Sequence, residues 1–466
     1  MTRVHAFGDD ALGDLDTIGL VELLDADKVS ATELADAAIA RLERVDPDLN
    51  GLAYSAFDRA RAEARDPRPG FFSGVPSLIK DNVDVEGMPT MQGTDAWLGT
   101  PRRADGEFAR LYQAAGLNLL GKSQLSEFGF SASAEHPRLG PVRNPWHVEH
   151  SAGASSSGSA AFVAAGAVPI AHANDGGGSI RIPAAVNGLV GLKPTRGRLP
   201  QDRVLKQMPV QIVSDGVVTR SVRDTAAFYR EAEKLWRDLK LPPIGDLTRP
   251  GRKRLRVAVV TTSPVGECSP EVRQQTLATA ALLEELGHHV EDLEPLIPAS
   301  FPDDFLLYWS FLSLVLTRTG RQQFGRTFDA ERLDNLTRGL ADHARRNMHR
   351  LPVAVARLKR TRRLSARLYC DHDVVLTPTL ATATPRIGHL DPTAPYEQVL
   401  ERLLAWVAFT PLQNATGDPA ITLPLARTAD GLPLGMMMAA GWGGEATLIE
   451  LAYELEAARP FARIQD

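Results

Sequence analysis

The segment Ser151–Pro200 restricts the fold more than any other part of the chain. It sets two runs of small residues around an apolar stretch: Gly153-Ala154-Ser155-Ser156-Ser157-Gly158-Ser159, then Asn174-Asp175-Gly176-Gly177-Gly178-Ser179. So little side chain ordinarily means a flexible tether. The flanks argue against that here. Ala160–Ala165 suits a packed helix, Ala167–Ala171 a buried strand, and Ile180, Ile182, Val186, Leu189 and Val190 are core material. A loop without bulk, held between buried elements, lets backbone N–H groups approach a ligand closely. Such N–H groups can stabilise a developing negative charge, and a serine directly after them is a candidate nucleophile.

The remainder of the chain supplies helices and strands in alternation. Thr17 is expected to cap a short helix through Leu24, and Ser30-Ala31-Thr32-Glu33 is a capping box that opens a longer one ending before Pro47. A short apolar run at Leu52–Phe57 and a helix over Arg59–Arg65 follow. Gly74-Val75-Pro76-Ser77-Leu78-Ile79-Lys80-Asp81-Asn82 reads as a buried strand that carries Lys80 into the interior. Burial disfavours the ammonium, so such a lysine can serve as a base, although most strand-end lysines snorkel to water. Helices are expected over Phe108–Ala115, Ser221–Leu235 and Glu445–Ala458, and strands over Leu117–Leu120, Asp373–Pro378 and Pro419–Pro424. Leu255–Val260, Pro270–Leu286 and His289–Leu293 form a strand–helix–strand unit, which implies a parallel pair. Residues 303–359 are helical and arginine-rich, and Phe305–Leu316 reads as a buried core helix rather than a substrate-access helix. The class is α/β.

Several functions are excluded. A net charge of −5 over 466 residues gives no electrostatic reason for nucleic acid as a partner. No apolar run reaches membrane-spanning length, and the first residues carry no secretory signal pattern. The two cysteines, Cys268 and Cys370, make no disulfide framework and fit a reducing, cytoplasmic setting. Gly116-Leu117-Asn118-Leu119-Leu120-Gly121-Lys122-Ser123 matches the phosphate-loop pattern, but its apolar interior follows a helix, so a nucleotide-binding ATPase is rejected. His147-Val148-Glu149-His150 has no metal-site spacing and is explained by a turn after Asn144-Pro145. No metal or cofactor is expected. No Gly-x-Ser-x-Gly elbow is present and no histidine lies in an obvious triad context, which leaves a serine hydrolase needing another base, such as lysine.

With these residues in view, the chain resembles the amidase signature enzymes over most of its length. Asp175-Gly176-Gly177-Gly178-Ser179-Ile180-Arg181-Ile182-Pro183 with Gly191-Leu192-Lys193-Pro194-Thr195 resembles the family's nucleophile block. Gly153–Ala160 resembles its Gly/Ser block and Leu78-Ile79-Lys80-Asp81 its lysine block. Leu376-Thr377-Pro378-Thr379 and Thr416-Gly417-Asp418-Pro419-Ala420 are similar to later segments. The form Asp175–Pro183 is most like the branch of cyclic nylon-oligomer hydrolases and actinobacterial amidases.

The resemblance implies an amidase-signature fold: a central mixed, largely parallel twisted sheet covered by helices on both faces. It implies an N-terminal helical segment, 1–70, packed on an amidase core, 71–466, with a mostly helical peripheral region at about 303–365. It implies Ser179 as nucleophile, Lys80 as base and Ser155, after a cis peptide bond with Ala154, as the bridge between them. The N–H groups of Gly176, Gly177, Gly178 and Ser179 correspond to the oxyanion hole, and Asp175 and Arg181 to a loop-supporting pair. The activity implied is hydrolysis of the carbon–nitrogen bond of a small-molecule amide through an acyl-enzyme. Two alternatives stay open: a glutamine-hydrolysing amidotransferase subunit and a non-catalytic amide-binding protein. Trp97, Phe128, Trp309 and Gln413 are unranked candidates for pocket walls. The acyl group, the amine and the oligomeric state, a homodimer included, are open.

Overall fold

The computed structural model describes residues 2–294 and 297–466. Among them, eleven strands join one sheet. In chain order they are β1 (Leu52–Ser55), β2 (Pro76–Lys80), β3 (Asn118–Ser123), β4 (Ile170–Asp175), β5 (Val190–Lys193), β6 (Ser214–Thr219), β7 (Arg256–Val259), β8 (His289–Asp292), β9 (Val374–Pro378), β10 (Ala420–Arg427) and β11 (Pro433–Ala440). Across the sheet they run β1-β3-β2-β4-β6-β5-β10-β11-β9-β7-β8.

Side chains of successive strand residues point to opposite faces, and both faces are covered. Leu78, Leu120, Ala171 and Val218 belong to one apolar layer, while their neighbours Ile79, Leu119, Ile170 and Val217 belong to the other. The first layer takes Leu34, Ile39 and Leu42 from an N-terminal helix and Phe162 from the helix after Ser155. The second takes Phe108, Phe228, Leu283 and Leu448 from four other helices. This double covering is why β2 and β4 are buried from end to end.

The expected mixed α/β sheet is present, with a smaller parallel share than expected. The pairs β2–β3, β2–β4, β7–β9 and β7–β8 are parallel. The other six are antiparallel. The cause is local: a short turn at 428–432 folds β11 back on β10, and β6 slots antiparallel between β4 and β5. The strand–helix–strand unit around Pro270–Glu285 does produce the parallel pair β7–β8.

Helix ends differ from the sequence reading in two places. The first helix, α1 (Thr17–Asp25), is capped by Asp16, whose carboxylate accepts from Gly19 N–H at 3.0 Å; Thr17 is already helical. The second, α2 (Ala31–Leu49), opens on the Ser30–Glu33 capping box but runs through Pro47 and stops at Asn50, which is left-handed at φ 53°. Asn tolerates that conformation and commonly ends helices there. The site-bearing loops lead into α3 (Ser157–Ala164) and α4 (Arg181–Asn187). Farther on, the 24-residue α5 (Phe301–Phe324) is sided by helices Asn335–Asn347 and Leu351–Asp371. No helix among the described residues is long and apolar enough to cross a membrane.

Candidate active site

Parallel neighbours end on the same side of a sheet, and open α/β sheets bind ligands at the carboxyl ends of such strands. Lys80 is the last residue of β2 and Asp175 the last of β4, so both arrive at one rim. The antiparallel β6 brings Asp215 to the same rim, opposite Asn174.

The Lys80 side chain is fully buried. Its Nζ lies 2.6 Å from Ser155 Oγ and 2.7 Å from Asn174 Oδ1. Burial pushes its pKa down to about 7, against the opposing pull of the Asp175 and Asp215 carboxylates. The strand end is braced from behind. Lys80 N–H donates to His172 Nδ1 at 3.2 Å, which makes Nδ1 the acceptor and leaves the ring proton on Nε2, 3.2 Å from Asp215 Oδ1. Burial lowers the His172 pKa in spite of Asp215, so the ring stays neutral.

Ser155 follows a cis peptide bond with Ala154. The next residue ties the two loops together: Ser156 Oγ donates to Ser179 O at 2.6 Å. Ser179 and Ser155 both line the cavity described below. Among the described residues its Oγ has no hydrogen-bond partner, so the Ser155–Ser179 bond implied by the resemblance is not formed. Catalytic hydrogen bonds commonly tighten only once substrate is bound.

The glycine loop departs from expectation at one residue. Gly178 N–H is committed to Asp175 Oδ1 at 2.7 Å, so it is not a free oxyanion donor. The N–H groups of Gly176, Gly177 and Ser179 have no acceptor among the described residues. Gly178 is needed for shape instead: at φ 136° a Cβ there would lie 2.4 Å from Thr410 Oγ1 and 2.6 Å from Ile182 Cδ1. Thr410 Oγ1 also donates to Gly177 O at 2.6 Å, which fixes that peptide.

Under the loop, Arg181 grips Asp175 with two bonds, Nε to Oδ2 at 2.9 Å and Nη2 to Oδ1 at 3.0 Å. Asn414 Nδ2 adds a bond to Asp175 Oδ1 at 2.8 Å. Burial alone would raise the Asp175 pKa; the guanidinium overrides it and holds the carboxyl well below its usual range.

Ser155 and Ser179 open on a cavity of about 900 Å³. Phe128 and Trp309 line it as proposed from the sequence. Trp97 does not; it stacks behind, on Phe324 at 4.2 Å between ring centres. Gln413 is turned to Arg181. The segment Phe305–Leu316 is more than a core helix: Phe305, Leu306, Trp309 and Leu312 face the cavity, as a substrate-access element does.

Other motifs resolve simply. Gly116–Ser123 is a glycine turn into β3, and Lys122 is buried against Asp81 at 2.9 Å. The turn expected after Asn144 lies at Pro145–Trp146 and opens the strand His147–Ser151, and Glu149 pairs with Arg386 across the surface. Among the described residues no group of three or more His, Cys, Asp or Glu is arranged to hold a metal ion.

Sequence reading missed Asn174, although it belongs to the second small-residue run, and missed His172, Asp215, Thr410 and Asn414. For the last three the chain separation is the reason: each acts on this rim from more than thirty residues away.

This geometry, a buried lysine bonded to a serine beside a glycine loop on an α/β sheet, is that of a hydrolase. The Amidase family profile matches residues 33–449. The chain is 65% identical over its whole length to a protein named "Putative amidase AmiC" from Mycobacterium leprae, covering 99% of that protein. It is 33% identical to the 6-aminohexanoate-cyclic-dimer hydrolase of Paenarthrobacter ureafaciens, over 96% of this chain and 95% of that one. The structure of 6-aminohexanoate cyclic dimer hydrolase complexed with substrate superposes with a TM-score of 0.88 at 30% identity, over 97% of this chain and 99% of that one. The chain therefore belongs to the amidase family. It is an amidohydrolase that cleaves the carbon–nitrogen bond of carboxylic amides.

Proposed function

We propose that amide hydrolysis here uses Ser179 as nucleophile, Ser155 as proton relay and Lys80 as base. The observation that carries this reading is the 2.6 Å contact between a fully buried amine and Ser155 Oγ. A neutral amine has two N–H groups and one lone pair. Asn174 Oδ1 can only accept, so it takes one N–H and leaves the lone pair available to accept from Ser155.

Ser155 gives its proton to Lys80 and takes the proton of Ser179. Ser179 Oγ then bonds to the amide carbon, and the C=O pair moves onto oxygen. The N–H groups of Gly176, Gly177 and Ser179 receive that oxyanion. As the C–N bond breaks, the proton passes back through Ser155 to the nitrogen, which leaves as ammonia or an amine. Water, deprotonated along the same relay, attacks the ester. The second tetrahedral intermediate expels Ser179, which regains its proton, and the carboxylate is released.

The partner proposed is a small-molecule amide, and the setting cytoplasmic, in keeping with two unpaired cysteines. Amide turnover by wild type and Ser179→Ala tests the assignment. Loss of turnover by at least about a thousandfold with an unchanged circular dichroism spectrum is expected; retained turnover would remove Ser179 from the mechanism.

A further inference from the structure

The walls of the cavity carry information about the substrate that the reacting groups do not. The two serines stand between apolar surfaces. A methyl group built on Gly129 would lie 3.1 Å from Ser155 Oγ, so the Phe128-Gly129-Phe130 segment lies directly against the relay serine. Phe128 and Phe130 both line the cavity. On the other side, a methyl built on Gly177 would lie 3.9 Å from the Phe305 ring, which puts α5 over the glycine loop. Trp309 joins the two walls, with its ring centre 6.2 Å from that of Phe130.

The charges point the same way. Arg102 is the one lysine or arginine among the described residues that line the cavity, and it is paired with Asp84 at 3.0 Å. The ionisable acids on the lining are Asp84, Asp202 and Asp215. An amide bearing a carboxylate would lose its hydration there and meet no cation but Arg102, already paired with Asp84, while Asp202 and Asp215 add two further carboxyl groups. A charge taken from water without a partner is strongly disfavoured. Free glutamine, with its α-carboxylate, is such an amide. An alkyl or aryl group would instead exchange water for aromatic and leucine side chains.

Resting on the assignment of Ser179 and its relay, we propose that this site selects uncharged amides with an extended alkyl or aryl group and rejects anionic ones, with Phe305 and Trp309 as specificity-determining residues. The pocket is thus unsuited to the glutaminase role of an amidotransferase subunit.

The test is a kinetic series on the intact protein. Straight-chain alkanamides from two to eight carbons and N-alkylacetamides of the same lengths are compared with glutaric acid monoamide and glutamine. In at least one series kcat/KM should climb by about two- to fourfold per methylene, and glutaric acid monoamide should fall at least a hundredfold below hexanamide. The series that climbs tells whether the chain sits on the acyl or the amine side. Trp309→Ala should flatten the climb, acting chiefly through KM, while Trp309→Phe keeps most of it. Flat behaviour in both series, or a carboxylate-bearing amide as the preferred substrate, overturns the proposal. Fluorophosphonate labelling of Ser179 in the same samples separates the outcomes. Labelled Ser179 with no chain-length preference sinks only the specificity; an unlabelled Ser179 in a protein that still hydrolyses amides sinks the assignment beneath it.

Discussion

Arg181 and Asp175 form a fully buried, two-pronged ion pair, with bonds of 2.9 and 3.0 Å, directly beneath the glycine loop. The same carboxylate accepts from Gly178 N–H and Asn414 Nδ2. Asp175 therefore joins the end of β4, the loop and the helix that begins at Pro411. Removing one partner strands the other charge in the interior, which typically costs about 3–5 kcal/mol. Arg181→Leu should lose stability of that order in urea denaturation and lose amide turnover with it. A loss below about 1 kcal/mol would mean that the pair is not the buried clamp described.

The proposed role of Lys80 as base sets the pH dependence. Its pKa is lowered to about 7 by burial, and only the uncharged amine can accept the Ser155 proton. Activity is thus lost on the acid side: kcat/KM for an uncharged amide should rise about tenfold per pH unit below 7 and level off above it. Lys80→Arg, whose side chain stays protonated, should be inactive at every pH. A profile flat between pH 5 and 8 would argue against lysine as the base.

Asn174 tests the orientation of that amine. Asn174→Leu removes the acceptor 2.7 Å from Nζ while keeping bulk. The expected result is a fall in kcat of about ten- to a hundredfold, little change in KM and a displaced acid limb, because the lone pair is no longer aimed. Asn174→Asp should raise the Lys80 pKa by placing a carboxylate beside it and move the limb to higher pH. If both variants kept the wild-type profile, Asn174 would have no part in positioning the base.

Thr410 tests the loop. Thr410→Val deletes the 2.6 Å bond to Gly177 O, and Thr410→Ser retains it. Valine should lower kcat about tenfold or more, and serine should recover most of the loss. Gly178→Ala should be far worse, since its Cβ would meet Thr410 and Ile182 at 2.4 and 2.6 Å in a left-handed backbone. Equal activity of the valine and serine variants would show that the Gly177 peptide needs no such support.

The parts of this site that were legible in the sequence are those written in contiguous residues. The two small-residue runs, the lysine after Leu78-Ile79 and the Ser30–Glu33 capping box each carry their physics within a few positions. The chain was least legible where distant segments meet. Thr410, Asn414 and Asp215 act on the glycine loop and the lysine through tertiary contacts, with no local pattern to mark them. Gly178 resembles its neighbours in sequence, and only the Asp175 carboxylate singles out its amide. Strand β11 was missed because Gly435 and three consecutive methionines carry little strand propensity; burial between β10 and β9 makes the strand. An apolar run such as Phe305–Leu316 can face either a core or a cavity, and periodicity alone does not distinguish them.

The central claim is that a buried neutral amine activates Ser179 through Ser155. Its most direct measurement is the rate and position of fluorophosphonate labelling, read by intact and peptide mass spectrometry on wild type, Lys80→Ala, Ser155→Ala and Ser179→Ala. The account predicts a single adduct on Ser179 in wild type, labelling slowed at least about a hundredfold in Lys80→Ala and Ser155→Ala, and none in Ser179→Ala. An adduct on a different residue, or Ser179 labelled as fast without Lys80 as with it, would contradict the account.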